Sequence, residues 1–196
     1  MQLYLLLDTS GSMDGAKISA LNDSMENIIV DLQEKAKQGN DILLSVLSFS
    51  KHIHWMYDKP INISDFTWNP LTASGMTSLG KACCELANAI STDTEKTSDK
   101  IIIILLSDGC PTDDYEEGLF QLHKLPAFHE AEKFAIAFGD HADVKSLSMF
   151  VDENERIFIE NRADALLDVL SSIIGTISPD IKNPSSMDDV DDDEWA

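Results

Sequence analysis

The chain has 196 residues, 43% of them hydrophobic, which predicts one globular domain with a sizeable core and no second. A formal net charge of -21 and an isoelectric point near 4.3 set the surface against a nucleic-acid backbone or an anionic membrane, and leave basic or metal-bridged partners open. No apolar run is long enough to span a bilayer, no leader-like segment opens the chain, and Cys83, Cys84 and Cys110 make a poor disulfide framework, so the expected compartment is the reducing cytoplasm.

The first apolar run, Leu3 to Leu7, reads as a buried strand that empties into Asp8-Thr9-Ser10-Gly11-Ser12. In an extended segment alternate residues point the same way, so the Asp8 carboxylate and the Ser10 and Ser12 hydroxyls can converge on one point. A set of oxygens suits a hard cation such as Mg2+. From Ala16 to Lys37, Ile18, Leu21, Met25, Ile28, Ile29, Leu32 and Ala36 form one helical stripe, which Gly39-Asn40 ends. Asp41 to Phe49 reads as a central strand and Lys51 to Tyr57 as an edge strand, with His52 and His54 on one side and Ile53 and Trp55 on the other. Two histidines without a third ligand read as a solvated strand face and not as zinc ligands.

Asp58 to Pro70 reads as a loop and leads to Thr77 in Gly75-Met76-Thr77-Ser78. The Thr77 hydroxyl can cap the helix expected over Leu79 to Ile90, or it can offer an oxygen to an ion and leave the cap to Ser78. After a polar loop, Ser91 to Lys100, the run Ile101 to Leu106 predicts the centre of a sheet covered on both faces. Asp108 follows beside Gly109, as a turn-maker or as a carboxylate presented at the strand end. Cys110 has carboxylates and not positive charge around it, so it is expected to be unreactive.

Pro111-Thr112-Asp113-Asp114 looks like the start of a helix that runs through Tyr115, Leu119, Leu122 and Leu125 and stops at Pro126. Glu132 to Phe138 is an expected strand, Asp143 to Val151 a short helix and Ile157 to Ile159 the last strand. The last helix is expected over Ala163 to Ile177, with Leu166, Leu167, Leu170, Ile173, Ile174 and Ile177 inward. Alternating strands and helices predict an α/β fold: a doubly wound, mostly parallel sheet with one antiparallel edge strand and helices on both faces. The domain is expected over 1–177. Residues 178–196 form an acidic tail whose Trp195 suggests a docking peptide, or a carboxylate donor to a neighbouring copy.

The D-x-S-x-S pattern of Asp8, Ser10 and Ser12, followed by Thr77 in a Gly-containing loop and by Asp108 after a later strand, resembles the metal-ion-dependent adhesion site of von Willebrand factor A domains. The resemblance covers Gln2 to about Ile177 and implies that Asp8, Ser10, Ser12, Thr77 and Asp108 form the metal site, with Mg2+ as the ion and Mn2+ or Ca2+ as alternatives. It also implies a non-enzymatic role, in which a partner protein's Asp or Glu carboxylate fills the open position on the ion. The opening Leu5 to Met13 and the Leu106 to Gly109 segment look most like the TerY-type proteins of tellurite-resistance and related bacterial stress systems, which implies an adaptor with a kinase or phosphatase partner. An adaptor for an AAA+ ATPase is the alternative within the family.

The competing class is a magnesium-dependent phosphohydrolase with a nucleophilic Asp at the end of its first strand. In the haloacid-dehalogenase type a second Asp stands two residues later, and here that position is Ser10, so the general acid/base is missing. A receiver-type reading lacks the acidic pair and the later-strand Lys. No G-x-x-x-x-G-K-[ST] phosphate loop is present either.

Overall fold

The computed structural model describes residues 1–93, 100–151 and 156–177, so the acidic tail, with Trp195, and most of the polar loop before Ile101 lie outside the described residues. Among the described residues seven strands, β1 (Gln2–Asp8), β2 (Leu43–Phe49), β3 (Ile53–Trp55), β4 (Ile61–Asn62), β5 (Ile101–Ser107), β6 (Glu132–Phe138) and β7 (Ile157–Glu160), form one sheet. Its order is β3-β2-β1-β5-β6-β7, with β4 also paired to β2. The pairs from β2 through β7 in that order are parallel, whereas β3 and β4 both run antiparallel to β2. The expected antiparallel edge strand is present as the shorter β3, and β4 adds a second antiparallel segment that was not expected. The chain leaves β1 toward β2 on one side and returns to β5 on the other. That reversal makes the carboxyl ends of β1 and β5 the switch point where open α/β sheets hold ligands.

Among the described residues six α-helices cover the faces: α1 (Ala16–Lys37), α2 (Leu79–Asp93), α3 (Tyr115–His123), α4 (Pro126–Glu130), α5 (Val144–Ser148) and α6 (Leu166–Ile177). Strand period decides which side chains meet which helix. Leu3, Leu5 and Leu7 of β1 and Ile102, Ile104 and Leu106 of β5 pack with Leu21, Met25 and Ile28 of α1 and Leu170 and Ile173 of α6. On the other face, Tyr4, Leu6, Ile103 and Leu105 pack with Leu86 of α2, Leu119 of α3, Phe128 of α4 and Leu147 of α5. All seven residues of β1 and of β5 are buried, which is why both read as continuous apolar runs and not as alternating ones. Leu167, expected inward, is half-buried on the flank of α6.

Three local readings are corrected. Within the stretch read as a loop, Ile61–Asn62 pair with β2 and Ile63–Asp65 form a 3-10 turn capped by the Asn62 side chain, which accepts from Ser64 N–H. Two paired residues carry no periodicity that a sequence could show. Pro126 does not end a helix: α3 stops at His123 and Pro126 opens α4, where its fixed φ suits the first turn. The buried Lys133 of β6 then donates to the carbonyls of Phe128 (2.7 Å) and Ala131 (3.0 Å), closing α4 onto the sheet. Finally, Asp113 is not part of the first turn of α3. Asp114 is the N-cap, accepting from Glu117 N–H at 3.0 Å, and Asp113 does something else.

Candidate metal centre

The β1–β5 register pairs Leu7 with Leu106, so Asp8 and Ser107 come next to each other at the sheet edge. Ser107 Oγ donates to Asp8 Oδ2 at 2.5 Å, and Ser10 N–H donates to Asp8 Oδ1 at 2.7 Å. Asp8 is fully buried. Burial pushes its carboxyl up from the ordinary Asp value, and the bonds from Ser107 and Ser10 oppose that rise. A buried carboxylate held by hydroxyl and amide donors, with no basic partner among its bonds, is a place that favours a cation.

Beyond Asp8 the chain makes a 3-10 turn over Gly11–Met13, anchored by the buried Met13. That turn holds the two serine hydroxyls 3.0 Å apart, and Ser12 Oγ donates to Asp108 Oδ1 at 2.6 Å. The second loop is tied to the first by its backbone: Gly11 N–H donates to Gly75 O (2.9 Å) and Ser74 N–H to Thr9 O (2.8 Å). Gly75 adopts φ +83°, a conformation that favours glycine. Thr77 is buried, and its carbonyl accepts from Thr112 N–H at 2.9 Å and Thr112 Oγ1 at 3.0 Å. Gly109 lies between the loops. A methyl group there would sit 3.2 Å from Thr77 Oγ1 and 3.6 Å from Ser12 Oγ, so both hydroxyls face the same small space.

The structure thus brings Asp8, Ser10, Ser12 and Asp108 into one line of hydrogen bonds and sets Thr77 across Gly109 from Ser12. Every candidate donor is an oxygen, from two carboxylates and three hydroxyls. This set fits a hard divalent ion. It contains no histidine or thiolate, and among the described residues no group of three His, Cys, Asp or Glu side chains could hold an ion. His52 and His54 are exposed. Cys110 is exposed, and its hydrogen bond to the Asp143 carboxylate raises its thiol above the usual value, which makes a thiolate nucleophile unfavourable.

Sequence reasoning missed four contributors. Ser107 could have been found from the register of two adjacent buried strands. Gly109 had only its place after Asp108. Lys17, in the first turn of α1, pairs its ammonium with Asp108 Oδ2 across 91 positions of sequence, which no local pattern signals. Asp113 accepts from Gly80 N–H and Lys81 N–H, each at 2.9 Å, and so caps α2 from a distant segment where Thr77 or Ser78 was expected to do so. We expect Asp113→Ala to cost about 1–2 kcal/mol, with Asp113→Asn recovering part of it, both measured by thermal unfolding.

Similarity to known proteins follows the same outline. No curated protein sequence matches the chain. The vWF domain of the type V pili tip protein Mfa5 from Porphyromonas gingivalis is 12% identical, with a TM-score of 0.72 over 94% of this chain and 97% of that one. The ArnB paralog VWA2 from Sulfolobus acidocaldarius is 19% identical, with a TM-score of 0.64 over 87% of this chain and 44% of that one. Proximal thread matrix protein 1 from the mussel byssus, in a structure with a zinc-occupied MIDAS motif, is 16% identical, with a TM-score of 0.65 over 90% of this chain and 45% of that one. This chain spans less than half the length of the mussel protein, and 30% of the pilus adhesin SpaC from Lactobacillus rhamnosus GG, which it also resembles at a TM-score of 0.72 and 15% identity over 90% of its own length. The model of the von Willebrand factor type A domain matches residues 2–172, and the chain belongs to that family.

Proposed function

We propose that this domain, 1–177, is a non-enzymatic protein-interaction module that works through a divalent cation. Asp8, Ser10, Ser12, Thr77 and Asp108 hold the ion, which is Mg2+, with Mn2+ or Ca2+ as substitutes. The observation that carries this reading is that three separated loops meet at one edge of the sheet: Ser10 Oγ, Ser12 Oγ and the Asp108 carboxylate form one hydrogen-bonded line, Asp8 lies beside Ser10, and Ser12 Oγ and Thr77 Oγ1 face the same space over Gly109. The ion, when bound, supplies a Lewis-acidic anchor for an anion. The chain's own part is to fix neutral hydroxyls beside it and leave its positive charge incompletely balanced, so that a partner's Asp or Glu carboxylate completes it. Two similarities support the reading: the mussel protein's motif holds a divalent ion, and SpaC is an adhesin. An enzymatic reading has no general acid/base in the position where it would need one, since Ser10 stands there.

The motif segments Leu5 to Met13 and Leu106 to Gly109 point to a cytoplasmic TerY-type stress adaptor, with a kinase or phosphatase as the partner. Capture from the native lysate, with the bound proteins identified by mass spectrometry, tests this. The expected result is a kinase or phosphatase retained in Mg2+ and released by EDTA. Capture indifferent to the chelator would contradict it.

A further inference from the structure

Lys17 stands outside the motif yet inside the site. Its ammonium pairs with Asp108 Oδ2 while Ser12 Oγ holds Oδ1 at 2.6 Å, so both oxygens of this carboxylate are engaged. The Asp108 side chain is 1% exposed and that of Lys17 33%, so the pair is shielded on the acid's side. The position of Lys17 is built and not incidental. Its stem leaves the first turn of α1, and its Cε and Nζ lie over Gly139, at the end of β6, where a methyl group would come within 2.8 Å of both atoms. Gly139 adopts φ +111°, which also favours glycine. A glycine in this conformation leaves a slot in which a lysine head rests against the back of the site.

Resting on the metal reading given above, we propose that Lys17 is a positioning residue that sets the charge of the site, weakening its hold on the divalent ion and strengthening its demand for an acid. Asp8 and Asp108 bring two negative charges and Lys17 one positive charge. A divalent ion added to that set leaves one net positive charge, whereas without Lys17 the set would be neutral. A fixed charge in contact with a carboxylate of the site acts on whatever ion that carboxylate faces, so the ammonium repels an incoming cation and attracts an incoming carboxylate. The consequence is a site that loads weakly alone and tightly together with its acidic ligand.

Isothermal titration with Mn2+ alone, followed by acetate titrated into the Mn2+-loaded protein, tests this in wild type, Lys17→Met and Lys17→Arg. We expect Lys17→Met to bind Mn2+ about tenfold more tightly and to lose affinity for acetate by a similar factor, while Lys17→Arg stays close to wild type. A change of hydrophobic packing alone would move neither in opposite directions. Mn2+ affinity that is unchanged or lower in Lys17→Met, with wild type binding the ion, overturns the role of Lys17. A wild-type protein that takes up no Mn2+ overturns the metal reading itself.

Discussion

Asp8→Asn should invert the order of stability with and without metal. Asparagine keeps the shape of the side chain; its oxygen can accept from Ser10 N–H, and its amide can donate to Ser107 Oγ. In EDTA the variant is expected to melt at or above the wild-type temperature, because it removes a charge that burial disfavours. In Mg2+ the wild type should overtake it. Ligand linkage at 100 times Kd contributes about 2.7 kcal/mol. For a domain of this size that corresponds to a rise of roughly 5–10 °C, with a rise under about 1 °C in the variant. Thermal melts of both proteins with Mg2+ and with EDTA make the comparison, and an equal increment in Asp8→Asn would remove Asp8 from the metal site.

Gly118→Ala should be, with Gly80→Ala, one of the two most damaging single-methyl changes at the described helix glycines. In this structure α2 and α3 cross with Gly80 and Gly118 face to face. A methyl at Gly118 would lie 2.9 Å from Cys83 Cβ and Gly80 Cα and closer still to the Gly80 carbonyl, while one at Gly80 would run into the backbone of Asp114 and Tyr115. Backbone cannot move aside as a flexible side chain can, so overpacking here is expected to cost about 2–4 kcal/mol and lower the melting temperature by roughly 5–15 °C. The same chemistry at Gly175 has the opposite sign. That residue is on α6, exposed, with nothing near the position of an added methyl, so Gly175→Ala should stabilise by about 0.5–1 kcal/mol through helix propensity. Thermal unfolding of the pair checks both. A tolerated Gly118→Ala would mean that the two helices are held further apart.

This crossing also bears on the proposed metal centre. Asp113 and Asp114 lie just before α3, and the Asp113 carboxylate caps the start of α2, directly after Thr77. Packing of α2 on α3 therefore supports the Thr77 loop, and a loosened crossing should weaken ion binding at the proposed site without changing any of its proposed ligands.

The parts of the molecule that were legible in the sequence are those in which one physical rule acts alone. The α1 helix has the expected bounds because its apolar stripe is long and Gly39, at φ +97°, terminates it. The strands β1, β5 and β6 are runs buried on both faces, which only a covered parallel sheet accepts. Where two rules share one residue, the sequence was ambiguous. Pro126 both disfavours the helix before it and suits the first turn of the helix after it, and the second effect operates here. Asp113 reads as a local first-turn acid, yet its carboxylate serves a helix that begins 34 residues earlier, at Leu79. The loop acids and hydroxyls of the candidate site were found because their spacing is local in each of three short segments. Lys17 was not, because its place depends on how α1 packs over the end of β6, a fact of tertiary structure alone.

Anomalous diffraction from crystals grown with Mn2+ is the most direct test of the metal centre. The prediction is a single strong peak bonded to Ser10 Oγ and Ser12 Oγ, within about 2.5 Å of each, with Thr77 and the two carboxylates around it. A peak elsewhere on the surface, or none at Mn2+ concentrations that saturate binding, would contradict it.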